Sequence, residues 1–318
     1  MIKMKTILAT LFIGFTLNFT AGQVDLLDLE DDLAQEVTLF QNTSLQLALR
    51  DQIMAKPRWR KLVNNKKLAI SIVDLNDFKN VRYASLNGNY MMYAASMPKI
   101  AVLYAAFDAI EEGDLELTKK IKDDMWLMIS KSNNAATTRM IDRVGFERIE
   151  KLMRNPDNPF YNDKNGGLWV GKRYAAQGKR NPEPLKGLSH AATTQAVAKF
   201  YYQLATGQLI NEKRSKQMLK YLKDPSLHHK FVNTLDRIAP YATLFRKSGS
   251  WRNYHSDSIM VWDQSRGKYY ILVAMVESAQ GESIIRNLVR PIELAIDQSL
   301  ILAPKPISVD GATITKGL

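Results

Sequence analysis

Strand-like alternation appears only near the two ends of this 318-residue chain, and the stretch between them reads as helix and loop. Near the start, Lys67 to Asp74 carries Leu68, Ile70, Ile72 and Val73, and Asn80 to Leu86 follows an Asn76-Asp77 turn signal. That spacing predicts a hairpin. Near the end, Thr243 to Lys247, Ser258 to Trp262 and Tyr269 to Val276 predict three antiparallel strands, with a closing helix from Ser283 to Leu302. Chains ordered this way fold as α+β: the N- and C-terminal strands share one antiparallel sheet covered by helices, and the middle inserts an all-helical lobe. One domain over 23–318 is expected. Its α/β lobe spans about 38–90 and 240–302, its helical lobe about 91–239, and a cleft divides them.

Within the middle, Met97 to Glu112 is apolar nearly all round and stops at Gly113, so it predicts a buried helix with a glycine C-cap. Further helices are expected over about 121–130, 135–144, 146–154, 193–206, 212–222 and 227–238. An earlier helix runs from about Thr38 to Ala55, and Pro57 is expected to end it. Residues 155–192 hold Pro, Gly, Asn and Lys without a period, which predicts a long surface loop.

The first residues have the form of an export signal. Lys3 and Lys5 precede an apolar run from Ile7 to Phe19, and Thr20-Ala21-Gly22 offers a small-residue cleavage site. A signal peptide over 1–22 and a periplasmic or secreted, soluble product are expected, with no stable membrane insertion after cleavage. The chain has no cysteine, which excludes disulfides, thiolate metal ligands and lipid attachment at a cysteine. Its net charge of +12 is spread along the sequence without any recognised nucleic-acid module, so no nucleic-acid partner is expected. A monomer is expected, with no cofactor and no metal. His228-His229 is a poor metal pair, because adjacent helical positions point apart.

Three short segments carry candidate chemistry. Ser96-Met97-Pro98-Lys99 sets a hydroxyl and an amine one helical turn apart at the head of the buried helix. A serine is a poor nucleophile until a base takes its proton, and a desolvated lysine can serve as that base. Ser132-Asn133-Asn134 falls between two helices, where side chains can point into a cleft. Lys247-Ser248-Gly249 ends an apolar strand just before Ser250. There Lys247 can attract a carboxylate, Gly249 permits close backbone approach, and the Ser250 amide can pair with the Ser96 amide as an oxyanion hole.

In that order the segments resemble the S-x-x-K, S-D-N and K-T-G motifs of the class A β-lactamase and penicillin-binding serine enzymes. Tyr93-Ala94-Ala95, Ile110-Glu111-Glu112-Gly113-Asp114-Leu115, Asn134-Ala135-Ala136, Thr206-Gly207-Gln208-Leu209 and Asp257-Ser258-Ile259-Met260-Val261-Trp262 are similar to class A stretches as well. The resemblance covers roughly residues 38–302. It implies that Ser96 is the acylated nucleophile, Lys99 its proton partner and Ser132 the relay to the leaving nitrogen. Asn134 would hold the substrate's side-chain amide, and Lys247 and Ser248 its carboxylate. A small-molecule β-lactam or a peptidoglycan peptide is the implied substrate.

The match departs from the family in four places. Asn133 replaces the usual Asp, Ser248 replaces Thr, and the interval between the first two motifs is short, which implies a trimmed helical lobe and a more open cleft. The E-x-x-L-N glutamate that activates the deacylating water is also missing. Glu183, in Asn181-Pro182-Glu183-Pro184-Leu185-Lys186, is the only glutamate of the long loop and therefore the candidate for that role. His190 and His255 are read as hydrogen-bonding structural residues, and Trp251 either lines the pocket or packs on the sheet. β-Lactam hydrolysis is the first expectation. A D-alanyl peptidase or esterase, or a penicillin-binding protein acylated without efficient turnover, stays open beside it.

Overall fold

The computed structural model describes residues 36–302, so the expected signal peptide lies outside the described residues. Short pieces of helix open the described chain: a 3-10 turn at Val37–Phe40, α1 (Thr43–Met54) capped by Asn42, and α2 (Pro57–Asn64). The first helix stops before Pro57, as expected, and Pro57 itself begins the second. Its fixed φ suits the first helical position, where a missing N–H costs nothing.

β1 (Leu68–Asp74) and β2 (Arg82–Leu86) form the predicted hairpin, joined at its end by an Arg82–Asp74 ion pair. Then come the short β3 (Met92–Tyr93) and the buried helix α3 (Lys99–Glu111), with Gly113 at φ +81° behind it. Helices α4 (Lys119–Ile129), α5 (Asn134–Val144) and α6 (Phe146–Met153) follow closely where the periodicity put them.

Residues 155–192 differ from the expected surface loop. They contain β4 (Tyr161–Asn162), β5 (Gly166–Gly167), β6 (Trp169–Val170) and β7 (His190–Ala192), and Phe160, Leu168, Trp169 and Val170 are core residues. Strands of two or three residues are too short to show an alternation. β7 pairs with both β3 and β6, which ties this segment to the chain just before α3.

Helices α7 (Thr194–Ala205), α8 (Glu212–Leu222) and α9 (Phe231–Ile238) lead to the C-terminal strands. β8 (Thr243–Trp251), β9 (Tyr254–Asp263) and β10 (Lys268–Glu277) are longer than expected, so Lys247-Ser248-Gly249 lies inside β8 and not at its end. α10 (Gly281–Leu302) closes the chain.

The main sheet runs β2-β1-β10-β9-β8, wholly antiparallel, so the strands from the two ends of the chain meet where β1 pairs with β10. Alternate residues of these strands serve two cores, because successive side chains point to opposite faces. Leu68, Ile70, Ile72, Leu272, Ala274 and Val276 join the helices α1, α9 and α10. Ala69, Val73, Ile271, Val273 and Met275 pack against the helical side with α3 and α7. α9 contributes Phe231, Val232 and Leu235 to the first of these cores, so it packs with the sheet lobe. Strand β8 is left at the sheet edge, facing the helical side. Among the described residues no helix is long and apolar enough to cross a membrane.

Candidate active site

Ser96 occupies the turn before α3, preceded by Ala95 at φ +52°. Such a left-handed residue without glycine's freedom is a local cost, and it turns the chain from β3 into the helix. Ser96 is half-buried and its Oγ makes no hydrogen bond among the described residues. Lys99, at the first position of α3, is fully buried.

The Lys99 ammonium donates to the Ser132 carbonyl at 2.6 Å and to Asn134 Oδ1 at 2.8 Å, and lies 3.4 Å from Ser132 Oγ. Burial lowers its pKa to about 7, because desolvation penalises the charged amine. Near neutral pH a substantial fraction is therefore the free base. Asn134 is exposed, and with its oxygen occupied by Lys99 its amide N–H groups are available to an acceptor in the cleft.

Ser132 has φ +54°, a second non-glycine residue in the left-handed region. Its Oγ also accepts from Lys247 Nζ at 2.9 Å, so the first, second and third segments meet on one hydroxyl. Lys247 donates to the Ser248 carbonyl at 2.7 Å, and its pKa is pushed well below the ordinary lysine value by burial and then by the neighbouring Lys99. Asn133 accepts from Ala136 N at 2.8 Å and caps α5, a role an amide oxygen fills without charge.

Gly249 brings β8 against the nucleophile's turn. A Cβ at this position would lie 2.5 Å from both Ser96 N and Ala94 O, so only glycine permits this approach. Ser256, opposite Gly249 in β9, donates its hydroxyl to Ala94 O at 2.8 Å and fastens the same junction. Ser248 is buried and Ser250 is exposed at the strand edge.

Among the described residues Glu183 makes no hydrogen bond with this group. It is buried, and its carboxylate accepts from Leu185 N, Lys186 N and Leu188 N at 2.7, 2.7 and 3.1 Å and from the Tyr161 hydroxyl at 3.0 Å. All its oxygen lone pairs in this arrangement face donors that bind the loop together, which leaves little capacity to activate water.

Two residues at the site left no sequence signal. Tyr174, within the aperiodic stretch, donates its hydroxyl to Ala95 O at 3.0 Å, and its ring centre lies 4.6 Å from Lys99 Nζ. His190 stacks on Tyr174 at 4.1 Å between ring centres, is buried, and has its pKa lowered to about 4 by desolvation. A histidine so poised stays neutral at working pH and acts as a wall. The second missed residue, Lys230, lies fully buried beneath β8. Trp251 is 56% exposed and belongs to neither hydrophobic core. His255 approaches Ser250 Oγ only to 3.5 Å. Among the described residues no three His, Asp or Glu side chains are grouped as a metal would require.

Comparison with known proteins adds to this geometry. A family model described as the beta-lactamase enzyme family matches residues 55–126 and 121–298. Of solved structures, a beta-lactamase from Sphaerobacter thermophilus is 16% identical, with 81% of this chain and 99% of that chain aligned at a TM-score of 0.61. PBP-A is 19% identical over 81% of this chain and 97% of its own, with a TM-score of 0.59. A point mutant of PBP-A, solved as an acyl-enzyme complex with penicillin G, is 21% identical over 81% and 98%, with a TM-score of 0.58. At such identities the likeness establishes the shared fold. No curated protein matches the chain by sequence.

Proposed function

This chain belongs to the beta-lactamase enzyme family, and from that premise we propose that it is a serine hydrolase acylated at Ser96 by a β-lactam or a related amide. One observation carries the reading: the Lys99 and Lys247 amines both reach the Ser132 hydroxyl, at 3.4 and 2.9 Å, beside the turn that bears Ser96. The neutral Lys99 amine takes the Ser96 hydroxyl proton as Oγ bonds to the substrate carbonyl carbon. The amides of Ser96 and Ser250 stabilise the oxygen that gains the negative charge. Ser132 then gives its proton to the amide nitrogen as the carbon–nitrogen bond breaks, and recovers one from the Lys99 ammonium. Lys247 and Ser248 hold the substrate carboxylate, and Asn134 its side-chain amide.

Hydrolysis of the resulting ester needs a base for water. Among the described residues no carboxylate hydrogen-bonds Lys99, Ser132 or Lys247, and Glu183 is engaged elsewhere. That arrangement favours a long-lived acyl-enzyme over rapid β-lactam turnover. The test incubates the protein with a fluorescent penicillin and a chromogenic cephalosporin and follows labelling and hydrolysis in wild type and Ser96→Ala. Stable labelling of wild type alone is the expected result. Fast cephalosporin hydrolysis would return the protein to the efficient β-lactamases, and an unlabelled, folded wild type would end the acylation reading.

A further inference from the structure

Lys230 is a buried lysine that the steps above do not use. Its ammonium donates to the Gly249 carbonyl at 2.6 Å, to Ser250 Oγ at 2.8 Å and to the Ser256 carbonyl at 3.0 Å, so all three of its protons are placed. The backbone here has φ +55° and ψ −124°, a region where glycine is at ease and a lysine is not. Two costs therefore coincide at one position, a desolvated charge and a strained backbone. Strain of this kind persists where a side chain is needed in one place.

Its targets indicate the need. A trans peptide is planar and points its C=O and N–H in opposite directions. A cation clamped on the Gly249 carbonyl thus fixes the plane that carries the Ser250 N–H and turns that N–H away from Lys230. It also draws electron density toward the carbonyl, which makes the same amide a stronger donor. An ammonium has no lone pair to offer, so Ser250 Oγ accepts from Lys230 and keeps its own proton for another acceptor. His255 Nδ1, at 3.5 Å, is a long partner, so that proton is available to an oxygen of a bound substrate.

We infer that Lys230 is a positioning residue that aims the Ser250 amide and hydroxyl at the substrate, an assignment that rests on the reading of Ser250 as an oxyanion donor. The inference concerns the limiting rate of acylation, since an oxyanion donor acts mainly on the transition state.

Two variants separate the cation from the backbone. Lys230→Met keeps the stem and the strained φ without the donors, and Lys230→Gly relaxes the backbone and lets water reach the carbonyls. Both are followed by fluorescent-penicillin labelling across a concentration series, with thermal melting as the control for folding. The limiting acylation rate is expected to fall about 10²-fold in both, with a smaller change in the half-saturating concentration. Methylammonium added to Lys230→Gly should restore part of the rate. Wild-type limiting rates in folded variants would overturn the inference and leave Ser96 acylation standing. A wild type that is never labelled at Ser96 would remove the reading of the site, and the inference with it.

Discussion

Lys247 Nζ and Ser132 Oγ, 115 residues apart in the chain, lie 2.9 Å apart across the junction of sheet edge and helical lobe. Lys99 reaches the same serine from α3 and is itself fully buried. One hydroxyl therefore accepts hydrogen bonds from two amines, both of them depressed chiefly by burial, with the Lys99 charge adding to the effect on Lys247.

The pH dependence of acylation follows from Lys99. Its amine is charged below about pH 7 and neutral above, so the labelling rate of Ser96 should climb through pH 7 to a plateau. The inflection belongs to the coupled Lys99 and Lys247 pair. Lys99→Met should lower the rate by ~10²-fold or more and flatten that limb. Stability carries the same sign. The unfolded chain keeps the proton that folded Lys99 loses between about 7 and the ordinary lysine value of 10.5, so this group's share of stability rises with pH across that window. A labelling rate that declines as pH rises through 7 would refute Lys99 as the base.

Tyr174 and His190 help to keep water from Lys99, and Tyr174→Ala should open that wall. The acidic limb of the labelling profile should then move upward, toward the value of an ordinary lysine. Tyr174→Phe keeps the ring and loses only the bond to Ala95 O, at about 0.5–1.5 kcal/mol, so its limb should stay where wild type has it. Equal profiles for the two variants would show that the ring does not set the amine's environment.

Gly249→Ala places a methyl group 2.5 Å from the Ser96 amide nitrogen and the Ala94 carbonyl. The backbone must part there, at a cost of about 1–3 kcal/mol, and the oxyanion donors separate with it. A lower melting temperature and slower labelling are expected together. Labelling at the wild-type rate would mean that β8 does not need this closeness.

Glu183→Gln distinguishes a strut from a base. Its carboxylate accepts four hydrogen bonds, and an amide nitrogen must face some of those donors with hydrogens of its own. A loss of about 1–3 kcal/mol in stability is expected, with the acyl-enzyme lifetime unchanged in the folded protein. Unaltered melting combined with a much longer-lived acyl-enzyme would make Glu183 the deacylation base after all.

Much of this arrangement was legible in the residues. Alternation in Leu68 to Asp74 and in the last three strands set which faces are apolar, and the unbroken apolar surface of α3 required its burial. The three short segments around Ser96, Ser132 and Lys247 were readable because their order along the chain resembles the motifs of the class A β-lactamase and penicillin-binding serine enzymes. The length of β8 was less so, since Ser248, Gly249 and Ser250 have no apolar alternation to extend the pattern.

What folding alone decided is the partner of each buried polar group. Periodicity reports that a face is covered, not what covers it, so nothing local could say that Lys247 meets Ser132, that Tyr174 lies over Lys99, or that Lys230 clamps Gly249. The part Glu183 plays depends on the same thing: a carboxylate becomes a base or a strut according to the donors that packing brings to it. An amine's pKa likewise follows from the water it loses, and that is fixed only when distant segments close around it.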